Sequence, residues 1–508
     1  MTFDRDLQSI QEVRDLVKRA KAASEQYALF DQRQCDNIAK AIADACAAHA
    51  AELAAMAVEE TGFGVREDKI LKNLLGSAMT WDYIKDMKTV GILRDDPARG
   101  VTEVGVGVGV VAALIPSTNP TSTTMYKSII SAKAGNAIVI SPHPGAKNCI
   151  IATAKIIIEA ARKAGAPEGL ICCIETPTME GTDALLKNRS IGMILATGGE
   201  AMVRAAYSSG NPALGVGPGN GPAYIEKSAD IPAAIRRIIE SKTFDNGTIC
   251  ASEQSIVTER CIEQRVLDEL QRQGGYLLSP DESEKVAKFL LRANGTMNPK
   301  IVGKSAQYIA EMAGISVPAG TKVLVSRQAA VSKTNPYSRE KLCPVLGFYV
   351  EENWQAACER SIEILRNEGA GHTMSIHSQD ESVIREFALR KPVSRLLVNV
   401  APSLGGVGAT TGIAPALTLG CGAVGGSATS DNVSPMNLIN IRRVARGIRE
   451  LSDLRAMPEA QQAAAALGSC RTGCCLAPAS APAAGAAGRL STEDMEAITR
   501  AILKRLAQ

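Results

Sequence analysis

The pattern of apolar positions changes character twice along the chain. Over residues 6 to 60, Leu7, Ile10, Val13, Leu16 and Val17 recur at helical spacing, and 36 to 58 is an Ala-rich amphipathic stretch. Gly62-Phe-Gly64 ends it, and a further helix is predicted from about Asp68 into Tyr83. From Val101, short apolar runs alternate with helical segments. Strands are predicted over 108–115, 136–140, 170–175 and 191–196, with helices over 122–134 and 147–163 and another from Ala201 to Tyr207. Apolar residues fill these strands, as in strands buried on both faces, so the pattern predicts a parallel α/β sheet. A strand over 222–226 and the apolar run 226–242 follow, then a second α/β region. Its strands are predicted over 255–258, 322–325, 345–350 and 395–400, and its helices over 264–273, 283–291 and 305–313. Residues 339–344 and 369–377 read as loops, and the glycine-dense 405–426 as a backbone-lined wall.

The second change comes at Leu454, where Ala, Pro and Gly take over. Residues 456–490 read as a linker, with Ala481-Pro-Ala-Ala-Gly-Ala-Ala-Gly488 as its low-complexity centre. Ser491-Thr-Glu-Asp494 then resembles a capping box. Met495, Ile498, Ile502, Leu503 and Leu506 share one helical face, with Glu496, Arg500 and Lys504 off it. A docking helix on a tether and a fraying terminus both fit this pattern.

Composition narrows the function classes. The 508 residues suffice for roughly two or three domains with sizeable cores. A net charge of +3 with both signs interspersed, and 4% aromatics, argue against a nucleic-acid surface, a base-stacking platform or a membrane surface. The longest smooth apolar run, 104–115, is too short and too glycine-rich to span a bilayer. The thirteen cysteines form no paired CxxC set, so no metal site is expected. With no apolar leader they are expected to be reduced thiols in a cytoplasmic protein.

Candidate chemistry sits where strands end, because parallel sheets bind ligands at their carboxyl ends. Those ends carry Pro116 to Pro120, Ser141 to Gly145, Thr176-Pro177 and Thr197 to Glu200. Thr197-Gly-Gly opens a helix, where backbone N–H groups can meet a phosphate. No GxGxxG joins the first strand to its helix. Gly215-Val-Gly-Pro-Gly-Asn-Gly221 leads into a strand, which contradicts a dinucleotide fingerprint. Cys250, in Thr243-Phe-Asp-Asn-Gly-Thr-Ile-Cys-Ala-Ser-Glu-Gln-Ser255, follows an Asn-Gly turn signal just before a strand. A thiol held there is a candidate nucleophile; an inert buried thiol is the alternative.

The motifs Ile115-Pro-Ser-Thr-Asn-Pro-Thr-Ser-Thr123, Ser141-Pro-His-Pro144, Ala196-Thr-Gly-Gly199, Gly217-Pro-Gly-Asn220, Asn246-Gly-Thr-Ile-Cys-Ala-Ser-Glu-Gln254, Glu340-Lys-Leu-Cys-Pro344 and Gly371-His-Thr373 occur in that order. Together they resemble the aldehyde dehydrogenase superfamily, and within it the CoA-acylating branch, over roughly residues 5 to 450. The resemblance implies an aldehyde dehydrogenase fold: a Rossmann-like cofactor domain over 1–240, an α/β catalytic domain over 241–430, and an oligomerisation arm over 431–455 with a part near 100–110. It implies that Cys250 is the nucleophile and that the Asn119 amide, with the Cys250 N–H, holds the oxyanion. Glu340 would bind the nicotinamide-side ribose, Thr197, Gly198 and Gly199 the pyrophosphate, and Pro142 and His143 would meet the adenosine end. Pro116, Ser117, Thr118, Pro177, Gly217, Pro218, Gly219 and Leu342 complete the implied cofactor-facing set. His372 is a candidate proton acceptor or CoA-facing group, with a satisfied loop histidine as the alternative.

One departure bears on the reaction. Hydrolytic members carry Glu-Leu-Gly-Gly where this chain has Val216-Gly-Pro-Gly219. That glutamate activates water, and Val216 cannot. The resemblance therefore implies that a thiol, coenzyme A, takes the acyl group. A second departure, Ser141 and Pro144 where a Lys and a Glu usually flank the adenosine ribose, leaves NADP open beside NAD. The tail is similar to the encapsulation peptides of microcompartment enzymes, which implies a shell or co-encapsulated enzymes as partners and a short aldehyde, propionaldehyde before acetaldehyde, as substrate. A homodimer or homotetramer is implied as well. The rival readings are a hydrolytic or phosphorylating dehydrogenase, and a non-enzymatic shell or scaffold protein.

Overall fold

The computed structural model describes residues 4–469. The predicted tail helix, the low-complexity centre of the linker and Cys470, Cys474 and Cys475 lie outside them. The chain divides into two units: the residues up to Asp95 with Thr102–Val444, and Asp96–Val101 with the residues from Ala445 on.

The first unit opens with helices Arg5–Tyr27, Gln32–Ala48, Ala50–Thr61 and Arg66–Leu74. Asp31 and Gln34 close a capping box on the second, and Gly62, at φ 65°, ends the third as the sequence predicts. Their small apolar faces, among them Val13, Cys35, Ile38, Ile42 and Leu53, are fully buried. A π-helical turn, Leu75–Met79, then brings the chain against the helix Pro120–Lys133. A Cβ on Gly76 would lie 2.5 Å from the Ser122 carbonyl oxygen, so only glycine lets these two backbones approach.

Two strands, β1 (Gly91–Asp96) and β2 (Val101–Gly107), precede the first parallel sheet. That sheet comprises β3 (Val110–Ile115), β4 (Ala137–Pro142), β5 (Ile171–Cys173), β6 (Ile191–Thr197) and β7 (Ala213–Val216), in the order β5-β4-β3-β6-β7. Every pairing is parallel. The chain builds outward from β3 through β4 and β5, then crosses to β6 and β7. The carboxyl ends of β3 and β6 therefore diverge, which opens the crevice where doubly wound sheets take ligands. Lys127, on the helix after β3, is fully buried, and its Nζ donates to the carbonyls of Leu114 and Leu195 at 2.8 Å each. Burial pushes its pKa well down. An uncharged amine has two N–H groups, and here they span the last turns of β3 and β6.

The second sheet holds β8 (Gly221–Ile225), β9 (Glu253–Glu259), β10 (Gly275–Leu277), β11 (Val323–Arg327), β12 (Val345–Glu351), β13 (Gly371–His377) and β14 (Val393–Val398). Its order is β10-β11-β12-β9-β8-β13-β14, again parallel throughout. Here the structure corrects the loop expected over 369–377, because Gly371–His377 is a strand between β8 and β14. Its Thr373, Ser375 and His377 are as buried as Met374 and Ile376. The polar residues concealed a strand that its neighbours hold in place. The last strand, β15 (Ile439–Ala445), joins β1 and β2 in a three-stranded sheet.

In the second unit, a helix Leu451–Arg455 falls at the end of the expected arm, and Pro458–Ser469 replaces the start of the expected linker. Pro458 takes the first helical position, and the Gln- and Ala-rich run after it favours helix more strongly than a linker needs.

Lys127→Met is expected to lower the thermal unfolding temperature of the purified protein. It removes a donor from each of two buried carbonyls, at about 0.5–1.5 kcal/mol each; an unchanged unfolding temperature would count against the bridge.

Candidate active site

The carboxyl edge of the first sheet faces the amino edge of the second across a cavity of about 210 Å³. From the first sheet come Pro116, Ser117, Thr118 and Asn119 after β3, His143 after β4, Thr197, Gly198 and Gly199 at and after β6, and Val216, Gly217 and Pro218 at and after β7. From the second come Thr248, Ile249 and Cys250 before β9, and Glu340 and Leu342 before β12. Val407, Leu417 and Leu419 of the glycine-dense wall close it with apolar surface. Larger clefts open elsewhere, among them two of about 630 and 670 Å³, and the latter shares Gly217 and Pro218 with the thiol cavity.

Three loops lock together around the thiol. The turn before it carries Asp245 at φ 49°, Asn246 at φ 52° and Gly247 at φ 78°. These left-handed residues bring the chain from the helix Ile231–Thr243 back into β9. A Cβ on Gly219 would fall 1.7 Å from the Cys250 carbonyl oxygen, so the backbone at 219 lies directly on the nucleophile's own residue. The Gly219 N–H donates to Glu340 Oε1 at 2.9 Å, which fixes the third loop. Leu342 in that loop has φ 47°, a costly conformation for a bulky side chain that the surrounding packing must impose.

Cys250 is half-buried in the cavity wall, and its surroundings hold its pKa above the ordinary thiol value. Burial pushes the Cys250 pKa up to about 12, helped by Glu340 and Cys421, with Arg395 pulling the other way. Burial also raises Glu340 to about 8, against the stabilising Gly219 N–H and with Glu368 adding repulsion. Arg395 is buried and spends its donors on the carbonyls of His372, Gly420 and Ser430 and on Thr373 and Asn432.

Most residues singled out from the sequence thus meet in one cavity. Four do not line it. Gly219 lies behind Cys250. Pro142 ends β4 opposite Ile115, and Pro177 is buried ahead of the helix Met179–Leu186. His372 starts β13 with its ring fully buried; Nδ1 meets Thr373 Oγ1 at 3.0 Å, and burial, then Arg395, lowers its pKa to about 3. The sequence reading missed Lys72. Its Nζ donates to Asn119 Oδ1 at 2.7 Å, from a helix on which it looked like any other solvated lysine.

The cavity fits a pyrophosphate beside the thiol. A Cβ on Gly199 would meet nothing within 4 Å, and Gly198 would meet only Met202, so the backbone lies open. The helix Glu200–Tyr207 starts there with no side chain capping it.

A doubly wound sheet whose switch point opens on a thiol from a second parallel sheet defines an α/β fold with a candidate nucleophile at its ligand crevice. The chain belongs to the aldehyde dehydrogenase family, whose model matches residues 6–322. It is 42% identical over 443 residues to the bifunctional aldehyde-alcohol dehydrogenase AdhE of Escherichia coli (strain K12), covering 86% of this chain and 50% of that protein. It thus spans about half the length of such relatives. A succinate-semialdehyde dehydrogenase (acetylating) of Clostridium kluyveri is 38% identical over 432 residues, 85% of this chain and 95% of that one. Among solved structures, a probable aldehyde dehydrogenase from Listeria monocytogenes EGD-e superposes with a TM-score of 0.88 at 59% identity, over 89% of this chain and 100% of that one. A propionaldehyde dehydrogenase from the fucose utilisation microcompartment of Clostridium phytofermentans gives 0.77 at 26% identity, over 87% of this chain and 98% of that one. A Rhodopseudomonas palustris propionaldehyde dehydrogenase with bound CoA and an acylated cysteine gives 0.77 at 28% identity, over 85% and 97%.

Alkylation of Cys250 by iodoacetamide in the resting protein, followed on its own peptide by mass spectrometry, is expected to accelerate with pH through at least about pH 10. A plateau below pH 8 would mean that the thiolate is stabilised near neutrality, against the burial described here.

Proposed function

We propose that the protein oxidises a short aliphatic aldehyde to its CoA thioester: aldehyde, NAD and CoA give acyl-CoA, NADH and a proton. One observation carries the reading. Val216, where hydrolytic members carry a glutamate, lines the cavity that holds Cys250. Glu340 is the one carboxylate among the described lining residues, and the Gly219 N–H pins its Oε1. The acyl group on the thiol then waits for an incoming thiol, because Val216 stands where hydrolytic members carry the glutamate that activates water.

In this scheme Cys250 loses its proton and adds to the aldehyde carbon, giving a hemithioacetal. The oxyanion is held by the Cys250 N–H and by Asn119 Nδ2. That nitrogen donates to the Thr248 carbonyl and also lies 3.2 Å from Thr118 Oγ1, a contact the oxyanion would replace. Thr197, Gly198 and Gly199 would hold the pyrophosphate of the nicotinamide cofactor and Glu340 its nicotinamide-side ribose; bound there, the cofactor would supply the acceptor for the hydride, with NAD favoured and NADP open. Collapse of the oxyanion expels that hydride and leaves a thioester on Cys250. The CoA thiolate adds to its carbonyl, and the Cys250 thiolate leaves.

The cavity is small and apolar on one side, and neither Lys nor Arg lines it. This favours an uncharged aldehyde, propionaldehyde first and acetaldehyde next, over a carboxylated one. The protein named as a microcompartment enzyme of C. phytofermentans supports placing this chain in such a compartment, itself cytoplasmic, with the tail helix docking on shell or cargo. A homodimer or homotetramer is part of the proposal: β15 is an edge strand with Ile441 and Val444 exposed.

Cys250→Ala should abolish NADH formation from propionaldehyde, and normal turnover would refute the nucleophile. Asn119→Ala should lower kcat by about two to three orders of magnitude; a near-unchanged rate would remove its role. One assay separates the rival reactions. With CoA omitted, NADH should stop at a single turnover, and replacing CoA by phosphate should not restore it. Steady release of free acid without CoA would establish hydrolysis instead.

A further inference from the structure

Asn119 does not hold itself in place. Its Oδ1 accepts from Lys72 Nζ at 2.7 Å and its Nδ2 donates to the Thr248 carbonyl at 3.2 Å. An ammonium can only donate and a carbonyl can only accept, so these two neighbours fix which way the amide faces. Lys72 lies outside the cavity wall, on the helix Arg66–Leu74.

Lys72 is itself anchored. Its Nζ also meets the Asp245 carboxylate and Thr248 Oγ1, the latter at 3.1 Å. Asp245 Oδ2 takes a second ammonium, Lys69, at 3.0 Å, and Oδ1 accepts from the Val65 N–H at 2.8 Å. Lys69 also donates to the Thr118 carbonyl at 3.0 Å, next to Asn119. The Asp245 N–H donates to Asp68 Oδ2 at 2.7 Å. Two lysines and two aspartates balance in charge. Lys69, Lys72 and Asp245 are each at most 2% exposed. Burial pushes the Asp245 carboxyl up, but Lys72 and Lys69 hold it below its ordinary value. Such a cluster is costly to bury, and breaking it leaves an uncompensated charge.

The same cluster reaches the nucleophile's loop. Asp245 and Thr248 lie five and two residues before Cys250, and a Cβ on Gly64 would overlap Asp245 Oδ1 at 1.8 Å, so the 62–65 turn closes directly onto the carboxylate. One carboxylate therefore ties the N-terminal helices to the loop that carries the thiol, and one ammonium ties both to the amide.

We infer that Lys72, anchored by Asp245, is the positioning residue that orients the Asn119 amide toward the developing oxyanion. A cation bonded to Oδ1 also polarises the amide and makes its N–H groups better donors. This rests on the reading of Asn119 as an oxyanion donor.

The test is a double-mutant cycle on the full chain, with NADH formation from propionaldehyde and CoA as readout. Lys72→Met is expected to lower kcat about tenfold to a hundredfold, with the KM for aldehyde near wild type. Lys72→Arg, which keeps the cation, should fall between the two and serves as the second variant should Met disturb folding. In the Asn119→Ala background, either substitution should cost little more, because the residue it acts through is gone. Iodoacetamide alkylation of Cys250, which forms no oxyanion, should keep its wild-type rate. Losses that multiply across the cycle, or an equal fall in alkylation, would make Lys72 a general support of the loop and overturn the inference. A wild-type rate for Lys72→Met or for Lys72→Arg would overturn it too. A near-wild-type rate for Asn119→Ala would instead overturn the oxyanion reading, and this inference with it.

Discussion

Two parallel sheets meet edge to edge, and the candidate reacting groups lie in the seam. A doubly wound sheet leaves a crevice at the carboxyl ends of β3 and β6, because its chain reverses direction there. The second sheet presents the opposite edge: the loops entering β8, β9 and β12 carry Gly219, Cys250 and Glu340. Neither edge alone makes a site. The contact of the Gly219 backbone with the Cys250 carbonyl, and of its N–H with Glu340, sets the distance between the thiol and the strand ends opposite. A residue with any side chain at 219 would wedge that seam apart.

The polar groups near the seam divide into two kinds. Some face the cavity: Asn119, Cys250, Glu340. Others are buried behind it and hold the first kind still. Lys127 spans the ends of β3 and β6, Arg395 ties the carbonyls of His372, Gly420 and Ser430 together, and Lys72 with Asp245 grips Asn119 and the cysteine loop. Each is a buried basic side chain, charged or neutral, whose N–H groups all find acceptors, which is what makes burial tolerable. The positive φ angles of Asp245, Asn246 and Leu342 fall in the same loops. The backbone is least relaxed where the geometry must be most exact, as expected of sites imposed by their surroundings.

Sequence periodicity made much of the fold legible. Long helices and wholly apolar strands fixed the α/β class and the strand-end loops, because burial on both faces leaves a continuous apolar run. It failed where burial was polar or the element short. β13 carries His372, Thr373, Ser375 and His377 inside the sheet, and β10 is only three residues long. It also failed at 458–469, where an Ala-rich run reads equally as helix or linker until its neighbours are known.

The site divides in the same way. The residue types that chemistry needs, a thiol after an Asn-Gly turn and glycines at strand ends, stand in the sequence itself. So does the valine at 216, where hydrolytic members of the family carry a glutamate, since local chemistry is written in local order. Which strand ends adjoin was decided only by tertiary structure, because that depends on the strand order β5-β4-β3-β6-β7 rather than on sequence distance. So was the placing of Lys72, 47 residues from Asn119 and 173 from Asp245. A lysine on an amphipathic helix carries no local sign of its partner; only the packing of that helix against two distant loops turns a surface-like residue into a buried charge with a task.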